Sequence, residues 1–284
     1  MTGILKAIRS DLFLALTSRG LVALVLLAPA AAAARIALGK LRAAGLRARD
    51  AMVGGTSVRL PDLDGYGALV DGLSVGLALT YLLVVAIAAH SCAADRERGH
   101  VRRLLLSGVG RPAWVVGRYL FLLGLATAVV LSVAAASLGA ASLLHRFSPA
   151  IEDGYELIGV AEIHREILLG IGLALVPLPA AVALGVLVSV CARTPAGALA
   201  GGPGISVGFD LFKPLLGGIA PYVHAFYHPS LADGSYLREV SRLVRGFSDV
   251  FVEPGFFARN LWVPWPWAAA LLAVAVAVAW RREL

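Results

Sequence analysis

Long apolar runs broken by short polar stretches set the pattern of this chain. Leu21 to Leu38, Leu69 to Ser91, Tyr119 to Leu144, Ile167 to Ala192, Ala196 to Ala220 and Trp262 to Trp280 are each apolar for most of their length. Each is about long enough to cross a ~30 Å hydrocarbon core at ~1.5 Å of helix rise per residue. The pattern predicts an all-α polytopic membrane protein: one transmembrane domain over residues 1–284, with six transmembrane helices.

Ahead of the first run, Ile4, Leu5, Ile8, Leu12 and Leu16 recur at three- and four-residue spacing, with Lys6, Arg9, Ser10 and Thr17 mostly opposite. That periodicity predicts an interfacial helix over residues 2–18, its face blurred by Phe13. A basic start, an apolar middle and an Ala-rich end also describe a cleaved signal peptide, but the lead-in is unusually long for one. Gly39 to Gly67 is polar, and Gly54-Gly55, Pro61 and the Asp-Gly pair predict turns there. The third run is rich in Ala, Ser and Gly, which lets helices approach closely.

An acidic link with Glu152, Asp153, Glu156, Glu162 and Glu166 leads into the fourth run, where Pro177 and Pro179 predict a kink. Arg193-Thr194-Pro195 leaves room only for a tight turn, and Gly201-Gly202-Pro203-Gly204 predicts a flexible or broken start to the fifth run. Pro221 to Leu261 is too apolar for a solvent loop. Within it, Leu237, Val240, Leu243 and Val244 alternate with Arg238, Glu239, Arg242 and Arg245 as on a membrane-associated amphipathic helix. Trp262, Trp265 and Trp267 at one end of the sixth run, and Trp280 with Arg281-Arg282 at the other, form a belt at both interfaces.

Composition agrees. Hydrophobic residues make up 59% of the chain and charged residues 15%, with a mean hydropathy of +0.81. The pI near 9.8 would suit nucleic acid, yet no soluble fold is present to carry a basic face, and basic residues flanking membrane spans account for it. Two cysteines, Cys92 and Cys191, exclude a secreted disulfide framework. An even number of spans puts both termini on one side. Lys and Arg are nearly balanced between the sides, but the segments sharing the termini's side are shorter and hold their charges nearer the membrane, which favours cytoplasmic termini.

The most highly charged stretch lies between the second and third runs. Asp95-Arg96-Glu97-Arg98-Gly99, the apolar Leu104-Leu105-Leu106, a turn through Gly108-Val109-Gly110-Arg111 and Arg118 at the opening of the third run resemble the signature of type-2 ABC exporter permeases. In that family an acidic-basic-acidic-x-Gly-Thr segment follows the second span, then a Pro-x-Ser-Arg turn, and a Lys opens the third span. The register from Gly99 to Arg118 matches without a gap. His100 stands for the Thr, Gly108 and Gly110 for the Pro and Ser, and Arg118 for the Lys; the charge pattern survives. The interfacial N-terminal helix, the tight turn after the fourth run and the long segment before the sixth extend the resemblance over essentially the whole chain.

The resemblance implies a permease subunit of an ABC transporter in the bacterial cytoplasmic membrane. It would be paired with a second permease copy and two copies of a separate ATPase, which hold the ATP and Mg. It further implies that Asp95, Glu97, Arg98, Gly99, Arg103, Arg111 and Arg118 form the element that couples to the ATPase. Without the resemblance, the same charges read as anchors at anionic lipid headgroups. Some relatives transport nothing and drive an extracytoplasmic partner instead, for example in metalloenzyme maturation. An intramembrane enzyme is the third class, but no nucleophile-base pair, His-Glu-x-x-His pair, Asp dyad or phosphate-binding Gly-x-x-x-x-Gly-Lys-Ser/Thr loop occurs in the sequence. No cofactor is expected in this chain.

Three further groups carry potential chemistry. Asp210 and Lys213, three apart, would share a helix face and pair, either lining a translocation path or lying at the outer surface beside Pro214. His90, Cys92 and Cys191 at one depth are soft-metal donors, though lone residues at separate positions are a poor metal signature. His224 and His228, with Tyr222 and Tyr227, read either as a partner-docking or proton-sensitive patch or as ordinary interfacial aromatics.

Overall fold

The computed structural model describes residues 2–53, 64–152, 155–230, 234–247 and 252–281. Gly54, Gly55, Pro61, Asp153 and Arg282, named above, lie outside the described residues. The described residues are helical apart from a short antiparallel hairpin, β1 (Ala150–Glu152) with β2 (Tyr155–Ile158), and the connecting turns. Among the described residues, five segments are long and apolar enough to cross a membrane: Gly20–Arg49, Gly65–Glu97, Arg111–Leu144, Val160–Cys191 and Phe256–Arg281. They make the chain a membrane-embedded helical protein.

Helix α3 (Gly65–Glu97) is the central post. Helices α2 (Arg19–Val53) and α5 (Arg111–Leu144) run antiparallel to it on one side, with α7 (Leu178–Cys191) parallel and α8 (Pro195–Phe212) antiparallel on the other. Lipid gives helices no hydrophobic reason to associate, so close backbone approach has to supply the packing. Small residues provide it. A Cβ on Gly185 of α7 would meet the Cβ of Ala88 at 2.5 Å, and one on Gly202 of α8 would meet Ala89 at 2.6 Å.

Three sequence expectations change. The first span does not stop near Leu38, because α2 continues through Gly39 and Gly45 to Val53. Ties along its length hold the extension: Arg35 pairs with Asp71 of α3 at 2.9 Å, and Lys40 Nζ donates to the Leu144 carbonyl at 2.6 Å. The fifth run is not one apolar helix over 196–220. Helix α8 passes unbroken through Pro203 to Phe212, and the chain then tightens into 3₁₀ turns, Lys213–Tyr222, bent at Gly217 with φ 51°, and His224–Tyr227. Pro214 and Pro221 remove hydrogen-bond donors from this stretch, and Gly217 takes the positive φ at its bend. Finally, the amphipathic helix α9 (Tyr236–Val244) does not lie free on lipid. Its face Leu237, Val240 and Val244 is buried, with Leu237 seated over Gly170 of α6 (Val160–Leu175).

The kink at Pro177 is present, α6 ending at Leu175 and α7 starting at Leu178. The break frees carbonyls of the helix ladder, and in an apolar interior these need partners. Tyr81 Oη donates to the Ala174 carbonyl, and the His228 ring lies against the Tyr81 ring. The two rings stack on each other, with centroids 3.8 Å apart. The turn after α7 is as tight as expected, with Thr194 Oγ1 accepting the Gly197 N–H at 3.1 Å to start α8. The last span comprises α10 (Phe256–Trp262) and α11 (Pro264–Arg281), with Trp262, Trp265 and Trp280 exposed.

Candidate functional site

One end of the bundle gathers the charged stretch. At the end of α3, Gly99 adopts φ 68°, a left-handed conformation that glycine takes without strain, and the chain turns into α4 (His100–Leu106). A second turn at Gly108, with φ 84°, leads to α5, whose first residues are Arg111 and Pro112. Pro112 sits where its missing N–H costs nothing. Both chain ends lie at this same end: α1 (Thr2–Thr17) packs along the start of α5, and Arg111 Nη1 donates to the Trp280 carbonyl at 3.1 Å.

Beneath the elbow lies a buried charge cluster. Arg118, 8% exposed, contacts both Asp95 of α3, 7% exposed, and Asp11 of α1, whose carboxylate is 3.0 Å away. One guanidinium thus serves two carboxylates. Burial pushes the Asp11 carboxyl up to about 6 against the pull of Arg118, and the Asp95 charge adds to the rise. The cluster clamps α1, α3 and α5 together. Asp11 does not stand out in the sequence because α1 reads as a membrane-surface helix, yet its packed face is Gly3, Ile4, Ala7, Ile8 and Asp11. Leu5, Leu12 and Phe13 face outward.

Arg96 was not singled out from the sequence, and it forms the second clamp. Its guanidinium donates to the carbonyls of Ser189, Val190 and Ala192 at 2.8, 3.0 and 2.7 Å, filling acceptors left open at the end of α7. A cation is also favoured there by the helix dipole. Ser189 Oγ in turn accepts the Ala93 N–H at 2.9 Å. The signal was available: an Arg at the last turn of one apolar run, opposite the end of another.

The seven candidate coupling residues therefore divide. Asp95 and Arg118 are interior and hold the elbow to α1 and α5. Arg111 is half-buried and ties the start of α5 to the end of α11. Gly99 makes the bend, and Glu97, Arg98 and Arg103 are exposed. With Arg102 and Leu106, 81% exposed, these three make a mixed-charge outer face on and around α4. Beside it opens a cleft of about 790 Å³ lined by Arg96, Glu97, Arg102, Arg193, Thr194 and Pro195 among others. The elbow and the α7–α8 turn thus form one surface.

At the other half of the bundle, Asp210 and Lys213 do pair, at 2.7 Å, and Lys213 is almost wholly buried. Its ammonium also reaches Ser230 Oγ at 2.8 Å and the Ala225 carbonyl at 3.4 Å, binding the chain after α8 to that helix. Asp71 was not singled out either. It joins three elements, accepting from Arg35 of α2 and from Arg245 at the end of α9 at 2.5 Å. Cys92 is buried near the Arg118 cluster while Cys191 is exposed. Among the described residues no three His, Cys, Asp or Glu side chains gather where they could hold a metal ion. His224 and His228 are buried, their centroids 5.5 Å apart, and Tyr227 is buried with them while Tyr222 is exposed. Compared with known proteins, the chain matches no family model, no curated protein and no solved structure.

Proposed function

We propose that this chain is the membrane-spanning permease subunit of an ABC transporter of the type-2 exporter kind, driven by a separate ATPase. The observation that carries the proposal is the elbow: an exposed mixed-charge helix on two rigid clamps, Asp95–Arg118–Asp11 and Arg96 with the end of α7. A partner gripping α4 would move α1, α3, α5 and α7 as one, and the charges on α4 would set its register. Counting α8 with its 3₁₀ continuation as a crossing gives six spans with both termini cytoplasmic. A homodimer with two ATPase subunits would then enclose a path between the two copies. ATP and Mg would be held by the partner, and export would follow alternating access.

A second role is favoured by the far end of the bundle. There α2 extends to Val53, and Asp71 ties it through Arg35 and Arg245 to α3 and α9. Such a bracing would suit passing motion to an extracytoplasmic protein without transport.

The test is co-expression with the ATPase subunit and measurement of complex formation and ATP hydrolysis for wild type and Glu97→Arg. The variant is expected to insert normally but to lose the ATPase or its coupled activity; unchanged coupled hydrolysis would count against docking at the elbow. Stimulation only by an added periplasmic protein would select the second role over export.

A further inference from the structure

Helix α2 outruns the bundle. Lys40 Nζ reaches the carbonyl of Leu144, the last residue of α5, and beyond that level α2 continues from Leu41 to Val53, about 13 residues or ~20 Å of helix. Its inward face is spent before the extension begins, with Ala32 and Ile36 against Gly72 and Gly76 of α3. From Leu41 to Arg49 every residue except Ala43 is exposed, and so is Met52. A helix of this length with a glycine inside it is marginal in water unless something packs on it.

The exposed side is patterned. Ala34, Leu38, Leu41, Gly45, Ala48 and Met52 follow one another in alternating steps of four and three, the a/d seam of a heptad repeat. All six are exposed, Leu41 at 67% and Met52 at 87%, and a Cβ on Gly45 would meet nothing within 4 Å. The seam lies on the side of α2 away from Ile36, so the bundle leaves it uncovered. One flank carries Arg35, Arg42 and Arg49, seven apart. Asp71 holds Arg35, while Arg42 and Arg49 are exposed. The other flank, Ala37 and Ala44, carries no charge.

Charge decides what covers such a face. From residue 35 to 53 α2 holds five bases, Arg35, Lys40, Arg42, Arg47 and Arg49, against one acid, Asp50. A second copy lying parallel would set Arg42 and Arg49 against alanines and bring two basic helices within a Debye length; lying antiparallel, it would set arginine against arginine. The bilayer is a poor cover too. No break separates the extension from a span pinned by Arg35–Asp71 and by Lys40, so the helix leaves the membrane instead of lying on it.

We infer that the extension of α2 is one strand of a two-helix coiled coil whose other strand is an acidic amphipathic helix of a separate protein. The apolar side of that helix would lie on Leu41, Gly45, Ala48 and Met52, with carboxylates facing Arg42 and Arg49. Gly45 and Ala48 leave a trough between Leu41 and Met52, which calls for a large apolar side chain from the partner. The docking face stands on α2 alone. That the partner lies outside the cytoplasm rests on the orientation proposed above.

The test is fluorescence anisotropy of a labelled peptide with the purified full chain in nanodiscs, without any ATPase. The peptide is about three heptads long, with Leu at every a and d and Glu at every e and g, so that its own charges oppose self-pairing. A second peptide has Lys in place of each Glu. Expected is saturable binding of the Glu peptide, with the Lys peptide about ten-fold weaker or more, and the preference inverted in Arg42→Glu/Arg49→Glu. Leu41→Asn/Met52→Asn should weaken the Glu peptide by about ten-fold or more, whereas Leu46→Asn, exposed but off the seam, should leave it unchanged. All five positions are exposed, so the substitutions leave the bundle intact. No saturable binding, equal binding of the two peptides, or an equal loss in Leu46→Asn would overturn the docking face. In a Cys191→Ser background, ready oxidation of Met52→Cys to a disulfide-linked pair of chains would give the face to a second copy, and quenching of a dye on Met52→Cys by spin-labelled lipid would give it to the bilayer. Either result overturns the partner. Failure of the peptide leaves the elbow's docking untouched, because no ATPase enters this assay.

Discussion

Arg118 on α5 and Asp95 on α3 form a buried ion pair, with Asp11 of α1 placed 3.0 Å from the same guanidinium. A buried ion pair is poor evidence of net stability, but breaking one leaves a charge stranded. Arg118→Met strands two carboxylates and is expected to cost about 3–5 kcal/mol. Thermal unfolding of the purified variant, followed by intrinsic fluorescence, measures the loss.

Asp11 should behave in the opposite way. Its carboxyl stands at about 6 when α1 is docked, against 3.8 for the free group, so docked α1 binds more protons than released α1. Docking is therefore favoured fully below the free value and weakens as pH rises through about 6, by at most about 3 kcal/mol at ~1.4 kcal/mol per unit. Arg118 and Asp95 are the charges facing it, and Arg118 stays charged throughout this range. Protection factors of residues 3–14, with the intrinsic base-catalysed rate divided out, should fall between pH 4 and pH 7 in wild type and level off above. Asp11→Asn should remove that dependence and be no less stable at pH 8.

Glycines at the helix contacts should be intolerant and those on open faces indifferent. A Cβ on Gly185 would lie 2.5 Å from Ala88 and 2.9 Å from the Val85 carbonyl, whereas one on Gly204 meets nothing within 4 Å. Gly185→Ala is expected to cost about 1–3 kcal/mol by overpacking. Gly204→Ala should leave the melting temperature level or slightly raised by its better helix propensity, of about 1 kcal/mol at most.

Long apolar runs were readable because lipid demands them. The spans at α3, α5 and α11 follow from that demand alone, as does the break at Pro177. What was not legible depends on partners distant in sequence. The extension of α2 through Gly39 and Gly45 looks like loop until Asp71 and the Leu144 carbonyl are placed beside Arg35 and Lys40. Local periodicity put Leu5 and Leu12 of α1 on one face with Ile4 and Ile8, but α5 selects the face that carries Ala7 and Asp11. At the elbow the charge pattern marked the stretch that forms the bend at Gly99 and the short helix α4. It could not tell which charges face inward, since Asp95 and Glu97 are alike as sequence and differ only in which neighbours surround them.

Arg96 supplies a further test of rigidity. With its three carbonyl bonds gone, Arg96→Leu should leave α7 fraying at its end. Amide exchange in residues 192–197 is expected to rise while the rest of the bundle is unchanged. No change there would show that the α7–α8 turn holds itself without the elbow.

The most direct measurement is a photo-crosslinker at Leu106, the most exposed apolar side chain of α4. It would be activated in native membranes and the adduct identified by mass spectrometry. Expected is a single major adduct with an ATP-binding-cassette ATPase, lost in the Glu97→Arg background. Adducts with lipid alone, or with a protein from the opposite side of the membrane, would contradict the claim that this elbow is gripped by a nucleotide-driven partner.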